Sequence, residues 1–397
     1  MPKSFVLVIN SGSSSLKFAV IDSSTGEEVV SGLGECFGLA EAVISWKHQG
    51  TKTQHEIKAK DNHHEYAIEH IVTLIESLGL SKQLVAVGHR IVHGGEKFTS
   101  TVRIDDKVLA EIDALSSLAP LHNPAGVKGI KAALNAFPSL PQFAVFDTAF
   151  HQSMPDKAFT YGIPQQLYKE HGIRRYGFHG TSHYYVSREA AKMLGQTVEE
   201  SNIISVHLGN GASVCAVSAG RSVDTSMGFT PLAGLMMGTR CGDLDSGIIE
   251  FLIKKGWSQE SVFETLNKKS GFLGVSGLTS DARGILEAME EGHKGAKLAF
   301  DVFTYRVAKY IAAYLVPLDK LDAIVFTGGI GENALPIRSE IIKNLKLLGF
   351  VEDAVANQAA RFGQSGIIAK SELLGAVAMV IPTNEEYVIA KQSVELL

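Results

Sequence analysis

A stretch near the start of the chain occurs again about half a chain later. Set without gaps, VLVINSGSSSLKFAV (residues 6–20) lies over IISVHLGNGASVCAV (residues 203–217), an offset of 197 residues. Gly12 meets Gly209, Ala19 meets Ala216 and Val20 meets Val217, and the apolar positions ahead of the loop match. Each copy reads as a short buried strand, a Gly-rich loop and a second strand: Phe5–Ile9 then Leu16–Ile21, and Ile203–Val206 then Ser213–Val217. Each copy also opens its own half of the chain. That pattern is the mark of a duplicated domain, and it predicts two α/β halves built alike. On this alignment His207 and Val214 stand where the first copy has Asn10 and Lys17.

The length agrees, because 397 residues exceed one ordinary core. The boundary falls near residues 148–152, giving halves of 1–150 and 151–385. A net charge of −5 with no Lys/Arg block argues against a nucleic-acid or anionic-membrane partner. Cys36, Cys215 and Cys241 are widely spaced, which fits a reducing cytosol better than a disulfide framework or a zinc site. The first apolar run ends at Asn10, too soon for a secretory leader, and the longest, Leu373 to Pro382, is far short of a membrane span. A soluble cytoplasmic protein is expected.

Between and after the hairpins the pattern predicts strands at Glu28–Cys36, Gln54–Lys58, Leu84–Val92, Gln142–Phe146 and Ala323–Phe326. Helices are predicted at Glu65–Leu78, near Lys107–Leu118, after Pro124 and at Ala296–Leu315.

The first loop can form an anion-binding nest around Gly12, with Lys17 adding a point charge on the outgoing strand. Asn10 offers a side-chain oxygen suited to a hard cation or its water shell. Neither loop is a Walker A sequence, so any ATP use lies outside the P-loop class. A third glycine cluster, Gly328, Gly329 and Gly331, follows an apolar strand and would let backbone lie close against a nucleotide. His and Arg residues gather beside glycines in GHRIVHGG, YGFHGTSH and MGTRCGD, with further His in LHNP and FDTAFH between them. These bring forward Arg90, His122, His179, His207 and Arg240 as candidates for one cleft. Thr181 or Ser182 reads as a helix N-cap. His151 and His183 read as structural, and Asn62 to Glu65 as a solvated loop rather than a metal site.

Taken together, NSGSSSLKF, GHRIVHGG, PLHNP, FDTAFH, YGFHGTSH, HLGNGAS, DTSMGFTPLAGLMMGTRCGDLD, FTGGIGEN and IPTNEE closely resemble the acetate kinase family, in order and over nearly the whole chain. The resemblance implies two duplicated domains of the actin-like (ribonuclease H-like) ATPase fold with the active site in the cleft between them. It also implies that residues 386–397 complete the first domain, that the protein is a homodimer, and that it reversibly converts acetate and ATP to acetyl phosphate and ADP. By the same resemblance Asn10 and Glu385 associate with Mg²⁺, with Mn²⁺ as an alternative, and Lys17 meets the ATP phosphates. The implied nucleotide contacts are His207, Leu208, Gly209, Asn210 and Gly211, then Asp281, Ala282 and Arg283, then Gly329, Ile330, Gly331, Glu332 and Asn333. Arg90, Asp147, His179 and Arg240 match the catalytic set. Val92, Leu121, Phe178 and Pro231, with Arg90 and His122, match the acetate site. Asp147 has no obvious proton to take from acetate, so orientation of an Arg or of metal-bound water is the favoured role. A propionate or butyrate kinase is the nearest alternative, since one methylene discriminates by only about 1–3 kcal/mol. A non-catalytic actin-like nucleotide switch is the alternative from another class.

Overall fold

β1 (Phe5–Ser11) and β2 (Leu16–Asp22) pair antiparallel around the first Gly/Ser loop, as the apolar runs predict. The computed structural model describes residues 4–39, 41–57, 63–120 and 122–397. It divides into two compact units, residues 1–150 with 384–397, and His151–Thr383. The second unit therefore ends at Thr383, and Glu385 falls within the first.

In the first unit the sheet continues with β3 (Glu28–Glu35), β4 (Val43–His48), β5 (Thr51–Glu56), β6 (Leu84–Ile91), β7 (Val102–Arg103) and β8 (Gln142–Phe146). Their order is β5-β4-β3-β2-β1-β6-β8-β7. β1, β6 and β8 run parallel, which requires crossover connections, and the helices His63–Ser77 and Asn123–Ala136 supply them. One face of the sheet buries Leu7, Ile9 and Phe18 with Ile68 and Ile71 of the first of these helices. The other buries Val6, Val8, Ala86 and Val145 under Ile389 and Ala390 of the helix Glu385–Val394. Gly88 is needed beneath that helix, because a Cβ there would lie 2.6 Å from Ile389 Cγ2. The chain thus returns to its first sheet at its very end.

The second unit holds β9 (Asn202–Leu208), β10 (Ala212–Ser218), β11 (Arg221–Thr225), β12 (Ala323–Thr327), β13 (Phe350–Glu352), β14 (Gly366–Ser371) and β15 (Ala376–Val380). The order is β11-β10-β9-β12-β15-β14-β13. Five strands repeat the plan of the first sheet: β11-β10-β9-β12-β15 answers β3-β2-β1-β6-β8, with the same antiparallel and parallel pairings. No helix among the described residues is long and apolar enough to cross a membrane.

The register corrects the gapless alignment. β9 begins 197 residues after β1, but β10 begins 196 after β2, because the second loop is one residue shorter. Asn10 pairs with Lys17 across the first hairpin, while His207 pairs with Ser213 across the second. Ser213, not Val214, is therefore the counterpart of Lys17. A one-residue slip reverses the face of every side chain beyond it, so the difference is chemical as well as formal. A second correction concerns residues 62–65. Asn62 lies outside the described residues, but His63 is buried and opens a helix, and His64 Nε2 donates to the Gly12 carbonyl at 2.8 Å, bracing the first loop.

Candidate active site

In the first unit the parallel pairing of β1 with β6 sets His89 opposite Ile9, which brings the next residue, Arg90, up beside Asn10. The last helix starts here too, so Glu385 and Glu386 join Asn10, Lys17 and Arg90 around a cavity of about 180 Å³. Lys17 pairs with Glu386. Burial alone would raise the Glu386 carboxyl, but Lys17 and Arg90 outweigh it and hold the group below its ordinary range.

Asp147 follows β8 directly and is 1% exposed. It grips Arg90 in a two-point fork, Nε to Oδ1 at 2.9 Å and Nη2 to Oδ2 at 2.6 Å. Burial works against the Arg90 charge, yet Asp147, Glu385 and Glu386 together outweigh it and raise its pKa above the ordinary value. The fork fixes the guanidinium plane, which Lys at this position could not offer.

Val92 is half-buried just beyond β6, and His122 is exposed ahead of the helix Asn123–Ala136. Asn123 staples the two segments together, accepting from the His93 N–H at 3.2 Å and donating to its carbonyl at 2.9 Å. Leu121 lies outside the described residues. Asn10 and Glu385 are hard oxygen donors on one small cavity, and no cluster of three or more His, Cys, Asp or Glu suited to a metal occurs among the described residues. Two oxygen donors suit Mg²⁺, which keeps water and phosphate in most of its positions.

In the second unit the corresponding loop is closed by Gly209 N–H donating to the Gly211 carbonyl at 2.9 Å. His207 at the end of β9 stacks on His179, with ring centroids 4.4 Å apart and planes 27° from parallel. His179 has φ 57°, a left-handed backbone rare outside glycine and enriched at functional sites. It occupies the position just before the helix Gly180–Met193, displacing the N-cap expected at Thr181 or Ser182. Both of those lie within the helix, and the Ser182 hydroxyl bonds His207 Nδ1 and the Thr383 hydroxyl, each at 2.8 Å.

Two cationic or donor groups converge on Gly211. A Cβ there would meet Arg240 Nη2 at 2.8 Å and His179 Nε2 at 3.3 Å, so the close approach requires glycine. Arg240 Nη1 donates to the Pro231 carbonyl at 2.7 Å, and no carboxylate pairs with it among the described residues. Burial lowers its pKa. Phe178 is buried and its carbonyl accepts from His151 Nε2 at 2.9 Å, which agrees with a structural His151.

A separate cavity of about 790 Å³ in this unit is lined by Gly209, Asn210, Asp281, Ala282, Arg283, Gly329, Ile330 and Asn333. The remaining expected nucleotide contacts stand outside its lining. His207 and Gly211 face the His179 and Arg240 groups instead. Leu208 is wholly buried, and the helix Gly328–Asn333 packs Gly331 inward. Glu332 Oε1 accepts from the N–H groups of Gly328 and Thr383 at 3.0 and 3.1 Å, tying down the helix start. Asp281 is both a cavity residue and a helix N-cap, accepting from Arg283 N–H at 2.9 Å.

Sequence reading missed one cavity wall, Gln358, Arg361 and Phe362. It also missed Arg338, which is fully buried and donates to the carbonyls of Gly331 at 2.9 Å, Glu332 at 2.8 Å and Ala360 at 3.2 Å. Arg338 so clamps that wall to the glycine helix. Its only signal was an arginine on the inward stripe of an otherwise apolar helix face.

The model of the Acetokinase family matches residues 5–391. Over 397 residues, the full length of both chains, the protein is 79% identical to acetate kinase 2 of Vibrio cholerae. Among solved structures it is similar to a propionate kinase from Francisella tularensis, with a TM-score of 0.94 and 44% identity over 99% of this chain and 100% of that one. It is also similar to the acetate kinase of Porphyromonas gingivalis, with a TM-score of 0.93 and 40% identity over 99% of each chain.

Proposed function

The chain belongs to the acetokinase family, and from that premise we propose that it transfers the γ-phosphoryl group of ATP reversibly to acetate, giving acetyl phosphate and ADP. The observation that carries the reading is Arg240, a half-buried cation held by a carbonyl and paired with no described carboxylate, converging with His179 Nε2 on the loop glycine of the second cradle. Such a charge is set to receive an anion.

Acetate is already ionised at neutral pH, since carboxylic acids titrate near ~4 to 5, and needs no base to become a nucleophile. The barrier is repulsion between two anions, roughly 1 kcal/mol at 4 Å in water and several-fold more in a drier site. Arg90 and Arg240 remove it by forking onto carboxylate and phosphoryl oxygens. His179 donates from Nε2 to an equatorial oxygen of a loose, in-line transition state, where position and charge supply most of the catalysis. Asp147 acts through Arg90, holding its guanidinium plane, and takes no proton from acetate. Lys17 meets the ATP phosphates, and Asn10 and Glu385 hold Mg²⁺, whose contribution when bound is neutralising charge on the phosphates. The larger cavity takes the adenosine end between Arg283 and the helix Gly328–Asn333. The protein works as a cytoplasmic homodimer.

The likeness to a propionate kinase keeps a longer acid as the second reading, and the higher identity to an acetate kinase favours acetate. Incubation with Mg-ATP, hydroxylamine and acetate, propionate or butyrate should yield acyl hydroxamate, most rapidly with acetate. Propionate faster than acetate at equal concentration selects the second reading, and no hydroxamate from any acid overturns both.

A further inference from the structure

We propose that Ser213 is a positioning residue that holds His179 in the tautomer with its proton on Nε2, as the last link of a one-way chain Ser205–His183–Ser213–His179. The proposal deepens the reading above and rests on its placement of His179 at the reacting phosphoryl group.

Three distances define the chain. Ser205 Oγ lies 2.6 Å from His183 Nδ1, His183 Nε2 lies 2.8 Å from Ser213 Oγ, and Ser213 Oγ lies 2.8 Å from His179 Nδ1. Ser205, His183 and Ser213 are each wholly buried. The side chains of Ser205 and His183 make no other hydrogen bond among the described residues, so their protons must be placed within the chain.

A neutral imidazole donates from one nitrogen and accepts at the other, and a hydroxyl has a single hydrogen. Burial, with His151 and His207 nearby, keeps His183 neutral. If Ser205 donates to His183 Nδ1, then His183 Nε2 donates to Ser213. The Ser213 hydrogen is then available to His179 Nδ1, and the His179 proton sits on Nε2, the nitrogen beside Gly211 and Arg240.

The reversed chain has His179 donating from Nδ1 to Ser213, Ser213 to His183, and His183 to Ser205. It strands the Ser205 hydrogen in a buried site with no acceptor, which is costly. It also leaves His179 Nε2 without a proton to give. The chain has a preferred direction, and that direction points a donor at the phosphoryl site.

The first test is the tautomer itself, read by long-range ¹⁵N–¹H spectra of the ¹⁵N-histidine-labelled protein, with His179 assigned from His179→Gln. A pyrrole-type nitrogen at Nε2 and a pyridine-type nitrogen at Nδ1 are expected. The reverse pattern in the unsubstituted protein overturns the proposal. In Ser213→Ala the His179 signals should move toward a tautomer mixture, with kcat down about 10- to 100-fold, the range for lost outer-shell orientation. KM for ATP should change less than threefold, and Ser213→Thr, which keeps the hydroxyl, should recover most of the rate. Full kcat in a folded Ser213→Ala also overturns it. His179→Ala at near-normal turnover would instead sink the reading on which it rests, and leave the tautomer result standing.

Discussion

On the second rung from the loop, the first hairpin sets Asn10 opposite Lys17 and the second sets His207 opposite Ser213. The backbones correspond strand for strand, and the two sheets continue outward from them in the same order. The surroundings differ. Lys17 is exposed on β2 and reaches Glu386 on the last helix, whereas β10 is buried along both faces and the Ser213 hydroxyl is spent on two histidines. One backbone plan therefore serves two chemistries. A cradle with open space in front of it can carry a cation and a metal oxygen. A strand buried on both faces, as β10 is, can only orient what touches it.

The largest expected effects separate the two arginines. Arg90→Ala and Arg240→Ala should each lower kcat by on the order of 10³-fold or more, as removal of an arginine finger does. Only the first should also destabilise its unit, by ~1 to 3 kcal/mol in urea melts, because it strands the buried Asp147 carboxylate. Arg240 leaves behind a carbonyl, so its loss should cost little stability. A drop below tenfold for both variants would show that the reacting groups lie elsewhere.

Lys17→Ala should cost about 10²-fold in kcat, the scale of one lost charge-stabilising donor. Its half-exposed pair with Glu386 contributes under about 1 kcal/mol, so the melting curve should hardly move. A variant that unfolds early yet turns over normally would invert the assignment.

Acid should weaken both units. Burial lowers the pKa values of His89 and His93 in the first to about 4, and that of His183 in the second also falls well below 6.5. Below about 6.5 the unfolded chain takes up protons that these folded histidines refuse. Stability is therefore full above pH 6.5 and falls as pH drops toward 4, by at most about 3 kcal/mol for His89. Urea melts across that window should show the slope, and His89→Gln should flatten it.

The smallest contrast lies in the glycine helix. Gly329 faces open space in the larger cavity, so on the proposed reading Gly329→Ala should raise KM for ATP a few-fold with no loss of stability. Gly328 has φ 76°, and a Cβ there would lie 2.7 Å from the Leu208 carbonyl oxygen. Gly328→Ala should instead destabilise the unit by ~1 to 3 kcal/mol.

Much of this was legible in the chain. Every strand of the two hairpins lies within a residue or two of its predicted place, and β8 matches Gln142–Phe146 at both ends. Ser213 was not legible, because the missing loop residue left no trace in β10. In β2 the exposed Lys17 between buried Leu16 and Phe18 fixes the face, but β10 is buried throughout, so no alternation marks the slip. The cap at Thr181 or Ser182 failed for a related reason, since Ser182 uses its hydroxyl on His207 and Thr383 rather than on the helix end. The wall at Gln358–Phe362 was invisible because it carries no motif, and Arg338 showed only as an arginine on an apolar stripe. Phe362, 77% exposed at φ 54°, gains its meaning only from Asn333, whose Oδ1 accepts its N–H at 3.1 Å.

The division of labour between the hairpins is tested most directly by the Mg²⁺ dependence of turnover in Asn10→Ala and His207→Ala, the two residues at equivalent positions. The Mg²⁺ concentration giving half-maximal rate should rise about tenfold or more in Asn10→Ala. It should stay within twofold of the unsubstituted protein in His207→Ala, even where kcat falls. An equal rise in both, or a rise confined to His207→Ala, would contradict the account.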